Sequence, residues 1–493
     1  MGVNYLYGAA VQGIQSFIFQ TNELKDIVGA SELVEQICTT AFDEYAKGDS
    51  IVRAAGNIKH IFFDKEDCEK AVREFPKKVM NMAPGISISQ AVVKMDNDFA
   101  LAVEQLESKL RAQRNRPMNP TTIGLMGMQR SRKTGLPVVV FTDNDYLDDA
   151  TYKKRKVKNT KKLCEKCFNI KTLSDSRIAY NIEDITNKND WIAIIHADGN
   201  GLGQIVQKIG KNKEVFGDFS RLLDKASVES AHAAFEKIIK KHQIDETVRI
   251  PIRPIVLGGD DLTVICRGDI AIAYVTEFLS QFEVNTKAYL GEILSKNKVF
   301  GEKGADYLTA CAGVAFIKSS YPFYYGCQLA ESLCAEAKKD AKMKDHCIEG
   351  LASSCLLFHK VQDSFVEDYS EIVQRELTPC KDYSFKYGPY YINKEFKGRL
   401  LVSTLLEYIE LFNIEKAGNA VKSHLRKWMS LIHKDKEAAE QKRLRILEMI
   451  SNDKLKDLVY KVTKATQEDT NSPVYDMLAL HTIINQNTNK EED

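Results

Sequence analysis

The sequence predicts an α+β chain: two βαββαβ units followed by a helical region. Three observations carry this prediction. Apolar strand-length runs alternate with long amphipathic stretches over residues 186–350. A degenerate copy of the same order occupies the first part of the chain. From about Cys355 onward the apolar positions recur at helical spacing, as in Leu400-Leu401-Val402, Leu405-Leu406 and Ile409. At 493 residues the chain has length for several full-sized cores.

The elements of the better-defined unit follow in order. Trp191 to Ala197 is a buried-strand run that ends in Asp198-Gly199-Asn200-Gly201-Leu202-Gly203. Phe219 to Lys240 carries an apolar stripe at helical spacing. Pro254 to Leu257 and Leu262 to Cys266 are β-branched or apolar and flank Gly258-Gly259-Asp260-Asp261, a predicted hairpin tip. A helix over about 270–290, a strand over 308–317 and a helix over 323–342 complete the unit. This is the split βαβ order of ferredoxin-like domains. In that topology the first strand neighbours the hairpin, so Asp198, Asp260 and Asp261 can converge. Adjacent carboxylates repel, and a divalent cation relieves that repulsion. Three of them suit two Mg²⁺ or Mn²⁺ ions and make these residues the candidate catalytic and metal-binding set.

The N-terminal copy lacks that set. Tyr5 to Gly13 lines up with the strand ending in Asp198, placing Gln12 at the carboxylate. Ala54 to Phe63 lines up with the hairpin, placing Asn57 and Ile58 at Asp260 and Asp261. Gln, Asn and Ile cannot hold two divalent cations, so this copy reads as a pseudo-catalytic unit whose Gln12 and Asn57 border a shared cleft.

These strings resemble the large polymerase/cyclase subunit of type III CRISPR effector complexes and, more distantly, GGDEF cyclases and polymerase palms. The matching residues are Ala197 to Gly203, Leu257 to Asp261, Ala312-Gly313-Val314-Ala315, Tyr321-Pro322, Ala330-Glu331 and Ala337-Lys338-Lys339. Near the N-terminus, Val11 to Ile18 and Leu24-Lys25 with Gly29-Ala30-Ser31 resemble the family's first palm. The resemblance spans about residues 1–345. It implies two ferredoxin-like (palm/nucleotidyl cyclase-like) domains plus a helical C-terminal domain. The expected divisions are a degenerate palm over 1–115, a connector over 116–185, a catalytic palm over 186–350 and a helical domain over 351–493.

The resemblance also implies an activity: condensation of NTPs, with ATP expected, into short cyclic oligonucleotide second messengers for antiviral defence, releasing pyrophosphate. Nucleotide-binding candidates are Gly199, Asn200, Gly201, Gly258, Gly259 and Lys338. Family members place a lysine near Lys338 against the triphosphate. Asn200 replaces an aspartate common in the family and is expected to contact sugar or phosphate. The alternatives are an RNA-guided effector subunit acting mainly as scaffold, and a non-catalytic nucleotide-binding module. Expected partners are NTPs, RNA or other CRISPR effector subunits, and a downstream effector activated by the product. No His-Asp dipeptide occurs, so the HD nuclease domain of many relatives is expected to be absent.

The remaining signals set the frame. Cys164 and Cys167 have zinc-knuckle spacing, and relatives carry a four-cysteine site in this region. No second pair is visible, so a degenerate zinc lobe is expected, with Cys164 and Cys167 as candidate zinc ligands. The basic run Lys153 to Lys162 reads as a solvated loop offsetting Asp143 to Asp149, or as a phosphate or RNA contact. His196 shares the pleat face of Asp198. A formal net charge of +1 gives no global nucleic-acid signature. Eleven scattered cysteines, no signal peptide and no membrane-length apolar run point to a cytoplasmic protein without membrane contact. The polar segment Asn485 to Asp493 is expected to fray.

Overall fold

The structure is a computed structural model. It describes residues 4–485, apart from 55, 96–97, 117–123, 171–172, 187–189, 211, 245–247, 303, 363–367, 381–382, 414–415 and 465–469. The expectation for the C-terminal tail therefore lies, beyond Asn485, outside the described residues.

The first unit is a four-stranded antiparallel sheet in the order Asp49–Ala54, Asn57–Phe62, Asn4–Gln12, Ser87–Met95. This is the strand order of a ferredoxin-like unit. Alternation along the first strand explains its two faces. Tyr7, Ala9 and Val11 enter the main core with Ile27 and Phe75, whereas Leu6 joins Leu106 and Leu110 of the trailing helix Phe99–Arg114. Gly8 lets that helix close on the sheet: a Cβ there would lie 2.8 Å from Leu106 Cδ2.

The second unit repeats the order and adds to it. Ala310–Lys318, Trp191–Gly199, Asp261–Arg267 and Ile252–Gly258 form the antiparallel ferredoxin-like set. The long helices Lys213–Lys241 and Gly268–Lys296 pack together. The trailing helix Phe323–Ala341 packs on the face that carries Ile194, where a Cβ on Gly326 would meet Ile194 Cδ1 at 2.8 Å. His196 and Asp198 share that face by the period of two.

The helical reading from Cys355 is corrected at its start. Cys355–Lys360 is a strand, parallel to Ala310–Lys318 with Cys311 opposite Cys355, and Tyr390–Tyr391 pairs beyond it. Its run of buried residues has the length and pattern of a covered sheet strand, which periodicity alone does not separate from a helix segment. The helical region begins at Val402–Glu410. It continues through Lys416–Ile432, Lys436–Met449, Asp453–Thr463 and Val474–Ile484 around buried Trp428, Leu425 and Val459.

Two cations of the basic run, Lys154 and Arg155, are neither solvated nor free for phosphate, whereas Lys156, Lys158 and Lys162 are exposed. Helix Asp149–Arg155 lies so close on helix Leu24–Cys38 that a Cβ on Gly29 would sit 2.0 Å from the Lys154 carbonyl oxygen. Lys154 is 1% exposed, and its Nζ donates to Phe17 O at 2.6 Å and to Gln20 Oε1 at 3.0 Å. Arg155 pairs with Asp26 at 2.6 Å and with Asp145 at 3.1 Å. These cations anchor the connector to the first unit. No described helix is long and apolar enough to cross a membrane.

Candidate active site

The strand Trp191–Gly199 delivers Asp198 at its end, and the hairpin delivers Asp260 and Asp261 beside it. Two glycines make the approach feasible. Gly259 takes φ 64° in the turn, where an L side chain is strained. A Cβ on Gly199 would lie 2.9 Å from Asp260 Cβ and 2.3 Å from Leu202 Cδ1. Gly201, at φ 73°, redirects the chain into helix Leu202–Ile209. Gly258 pairs with Asp261 across the hairpin. The turn is tethered from below: Gly259 N–H donates to Asp224 Oδ1 at 3.3 Å, and Lys166 Nζ holds the same carboxylate at 3.1 Å and Leu257 O at 3.2 Å.

Asp198, Asp260 and Asp261 each offer a carboxylate oxygen within 4.8 Å of the others. Burial, then the Asp261 charge and then Asp198, hold the Asp260 carboxyl well above the usual range. Burial and Asp198 push Asp261 up to about 6, with Lys338 pulling against them. Lys338 reaches in from helix Phe323–Ala341, forms an ion pair with Asp198 and donates to Gly199 O at 2.8 Å. One lysine among three crowded carboxyls leaves negative charge uncompensated. All the donors are hard oxygens, so the set fits Mg²⁺ or Mn²⁺.

This arrangement has a pH consequence. Asp260 and Asp261 bind protons more tightly folded than unfolded. Their contribution to stability is present below the unfolded carboxyl pKa and is lost as pH rises through the folded values, about 6 for Asp261. The metal-free protein should therefore lose melting temperature across that interval. Mg²⁺ or Mn²⁺, competing with those protons, should restore it more at about pH 8 than at about pH 5. Thermal melts with chelator and with metal check this. Equal metal effects at both pH values would contradict it.

Other candidates are placed differently from their expectations. Asn200 is 2% exposed and turns into the fold: its Nδ2 donates to Thr309 Oγ1 at 3.0 Å and its N–H to Thr309 O at 2.8 Å. A sugar or phosphate contact is not available to that amide as placed, because the chain spends it on tying two strand ends together. His196 sits beside Thr263 Oγ1 at 3.2 Å, and burial drives its pKa down to about 4, so it is neutral. Cys164 and Cys167 are buried on helix Lys162–Phe168 in the core shared by the two units. Burial pushes their thiols up to about 11 and about 12, which disfavours the thiolates that zinc requires. Among the described residues no further thiol or imidazole joins them in a metal-holding group.

The repeat register also shifts. Each hairpin closes on a pair flanking two turn residues: Gly258 opposite Asp261, and Ala54 opposite Asn57. Asn57 thus stands at Asp261 and Gly56 at Asp260. Across the neighbouring strand, Ala197 faces Leu262 and Ala9 faces Ile58, so Ala10 stands at Asp198. The earlier alignment, with Gln12 and Ile58, was offset because strand ends, unlike paired residues, carry no register. The pseudo-catalytic character of the copy is unaffected, since Ala, Gly and Asn hold no divalent cation either.

A cavity of about 480 Å³ opens beside the carboxylates, between the two units. Gln15, Ser16 and Glu32 line it from the first unit, and His196, Asp261 and Glu331 from the second. Val11 and Gly13 border it, whereas Gln12 and Asn57 do not. Glu32 and Glu331 were not singled out from the sequence. The only available signal was adjacency: Glu32 follows Gly29-Ala30-Ser31, and Glu331 sits inside a matched string.

Residues 191–348 match the family described as Cas10/Cmr2, second palm domain. No curated protein sequence matches the chain. Among solved structures, the chain is similar to the Csm1-Csm4 cassette in complex with pppApA, at 14% identity and TM-score 0.59, covering 98% of this chain and 69% of that one. The same cassette in complex with AMPPNP gives 13% identity and TM-score 0.58, covering 98% and 70%. In complex with cA3 it gives 13% and 0.58, covering 98% and 69%. Residues 191–348 thus match the Cas10/Cmr2 second palm domain, and the chain shares the fold of Csm1 in these cassettes over nearly its whole length.

Proposed function

We propose that the chain is a nucleotidyltransferase that condenses NTPs, with ATP as the expected substrate, into short cyclic oligonucleotides. The observation that carries this is the convergence of Asp198, Asp260 and Asp261 beside Lys338 at the mouth of an inter-unit cavity. The similar cassettes captured with AMPPNP, pppApA and cA3 support it. The reaction joins the 3′-hydroxyl oxygen of one nucleotide to the α-phosphorus of another. The bond to pyrophosphate breaks and the hydroxyl proton is released.

The three aspartates would hold two divalent cations, which supply charge neutralisation and a lowered hydroxyl pKa when bound. Gly199 and Gly259 let the three carboxylates meet. Lys338, now spent on Asp198, is positioned to turn to a triphosphate as a point cation. His196 stays neutral and contributes no charge. The first unit, without carboxylates at the equivalent positions, serves as the wall that holds a partner nucleotide.

In this reading residues 1–115 form the pseudo-palm, 116–185 the connector, 186–350 the catalytic palm and 351–493 the C-terminal domain, whose first strand completes the palm sheet. Csm1-Csm4 assemblies among the similar structures favour a second, compatible role: a subunit of an RNA-guided cytoplasmic complex whose product activates a separate effector.

Incubating the protein with labelled NTPs and Mg²⁺ or Mn²⁺ and separating the products tests the chemistry. The expected result is metal-dependent oligonucleotide with pyrophosphate, and absence of product with every NTP, with and without target RNA, refutes it. Lys338→Met should raise the KM for the triphosphate at least about tenfold, and steady-state kinetics over a range of ATP would show it.

A further inference from the structure

The cavity has an unusual wall. Its polar lining includes Glu32, Glu35 and Glu331, and among the described residues no lysine or arginine lines it. A triphosphate would find no cation there, whereas Lys338 and the carboxylate set lie at its edge. The base and sugar of a nucleotide therefore belong in the cavity, with the phosphates at the aspartates.

Glu32 is the informative residue. It sits in helix Leu24–Cys38 and is 2% exposed. Its Oε1 accepts the Leu163 N–H at 3.1 Å. Its Oε2 is buried without a hydrogen-bond partner. A buried carboxylate oxygen left unpaired is costly, and a donor arriving with a ligand removes that cost. Burial raises the Glu32 pKa, and the Leu163 amide and the Arg253 charge pull against it. Arg253 donates from its Nη2 to Thr160 O at 2.6 Å, while its Nε and Nη1 are buried without a hydrogen-bond partner and so form no hydrogen bond with Glu32.

We infer that Glu32 reads the nucleobase: its free Oε2 accepts a hydrogen bond from an exocyclic amino group, selecting amino-bearing bases over their carbonyl counterparts. The inference rests on the nucleotide-condensing reading of the carboxylate set, and it places specificity on the unit that has lost its own carboxylates. Glu331 and Gln15 line the same cavity, one from each unit.

The geometry makes Glu32→Gln a sharp variant. The Leu163 N–H requires an acceptor, so the amide oxygen takes the Oε1 position and the amide nitrogen is forced to the free side. An acceptor becomes a donor without change of size. Binding is measured by calorimetry without metal, using the nucleoside pairs adenosine/inosine and cytidine/uridine, whose members differ by an amino group for a carbonyl oxygen. Nucleosides carry no phosphate, so the carboxylate set is not probed.

The wild-type protein should bind the amino member of at least one pair at least about tenfold more tightly, and Glu32→Gln should abolish or reverse that preference. No preference in the wild type, or an unchanged preference in Glu32→Gln, overturns the inference; the latter is expected if Oε2 is merely bridged to Arg253 by water. Circular dichroism and a thermal melt establish that the variant folds, and Glu32→Leu, which should bind both members equally, serves if it does not. Failure of the two readings is distinguishable. A wild type that makes no oligonucleotide yet prefers the amino member refutes the chemistry and leaves the base reading standing.

Discussion

Asp260→Ala combined with Asp261→Ala should lower oligonucleotide synthesis by at least about 10³-fold while leaving a folded protein. Both side chains are partly buried and neither closes a network the fold needs: each is held above its usual pKa by burial and by neighbouring carboxyls. Their removal relieves repulsion with Asp198, so the metal-free double variant should melt no lower than the wild type above about pH 6. Nucleoside binding in the cavity should persist, because Glu32 and the first unit remain. Product assays, thermal melts and nucleoside titrations on one preparation separate these effects. Wild-type turnover by the double variant would remove Asp260 and Asp261 from the chemistry.

The largest stability effect should come from the added methyl of Gly313→Ala. Gly313 lies mid-strand in the second sheet, under helix Phe323–Ala341. A Cβ there would sit 1.9 Å from Ala330 O, 2.5 Å from Cys334 N and 2.9 Å from Leu333 Cβ. Two of those atoms are helix backbone and cannot swing aside, so the helix must lift from the sheet. The cost should be about 3 kcal/mol, the upper part of the usual overpacking range. The lift also carries Lys338 away from Asp198, and Glu331 away from the cavity. Urea unfolding followed with steady-state kinetics would show a lower midpoint and a raised KM together. An unchanged midpoint would mean that the helix rides loosely on the sheet.

The βαββαβ order was legible because strand-length apolar runs and amphipathic stretches alternate in this chain at lengths that exclude most other assignments. The convergence of Asp198 with Asp260 and Asp261 was legible for the same reason, since that topology makes the first strand and the hairpin neighbours. Lys338 was legible only through resemblance, and nothing in its local sequence separates it from the exposed Lys339 beside it. Cys355–Lys360 was misread because a short run buried on both faces has no period to display. Asn200 was misread because its partner, Thr309, lies more than a hundred residues away.

By itself, then, the sequence determined the order of elements, the carboxylates at the strand end and hairpin tip, and their loss in the first copy. Those are local properties: side-chain alternation, turn chemistry and residue identity. Tertiary structure alone decided which groups spend their hydrogen bonds on the fold and which keep them for a ligand. Lys154, Arg155 and Asn200 look available in sequence, yet burial opposite long-range partners commits them. Glu32 looks like any helical glutamate, yet packing against Leu163 satisfies one oxygen and leaves the other free at the wall of a cavity. Desolvation makes that difference matter, and desolvation depends on what the rest of the chain brings alongside.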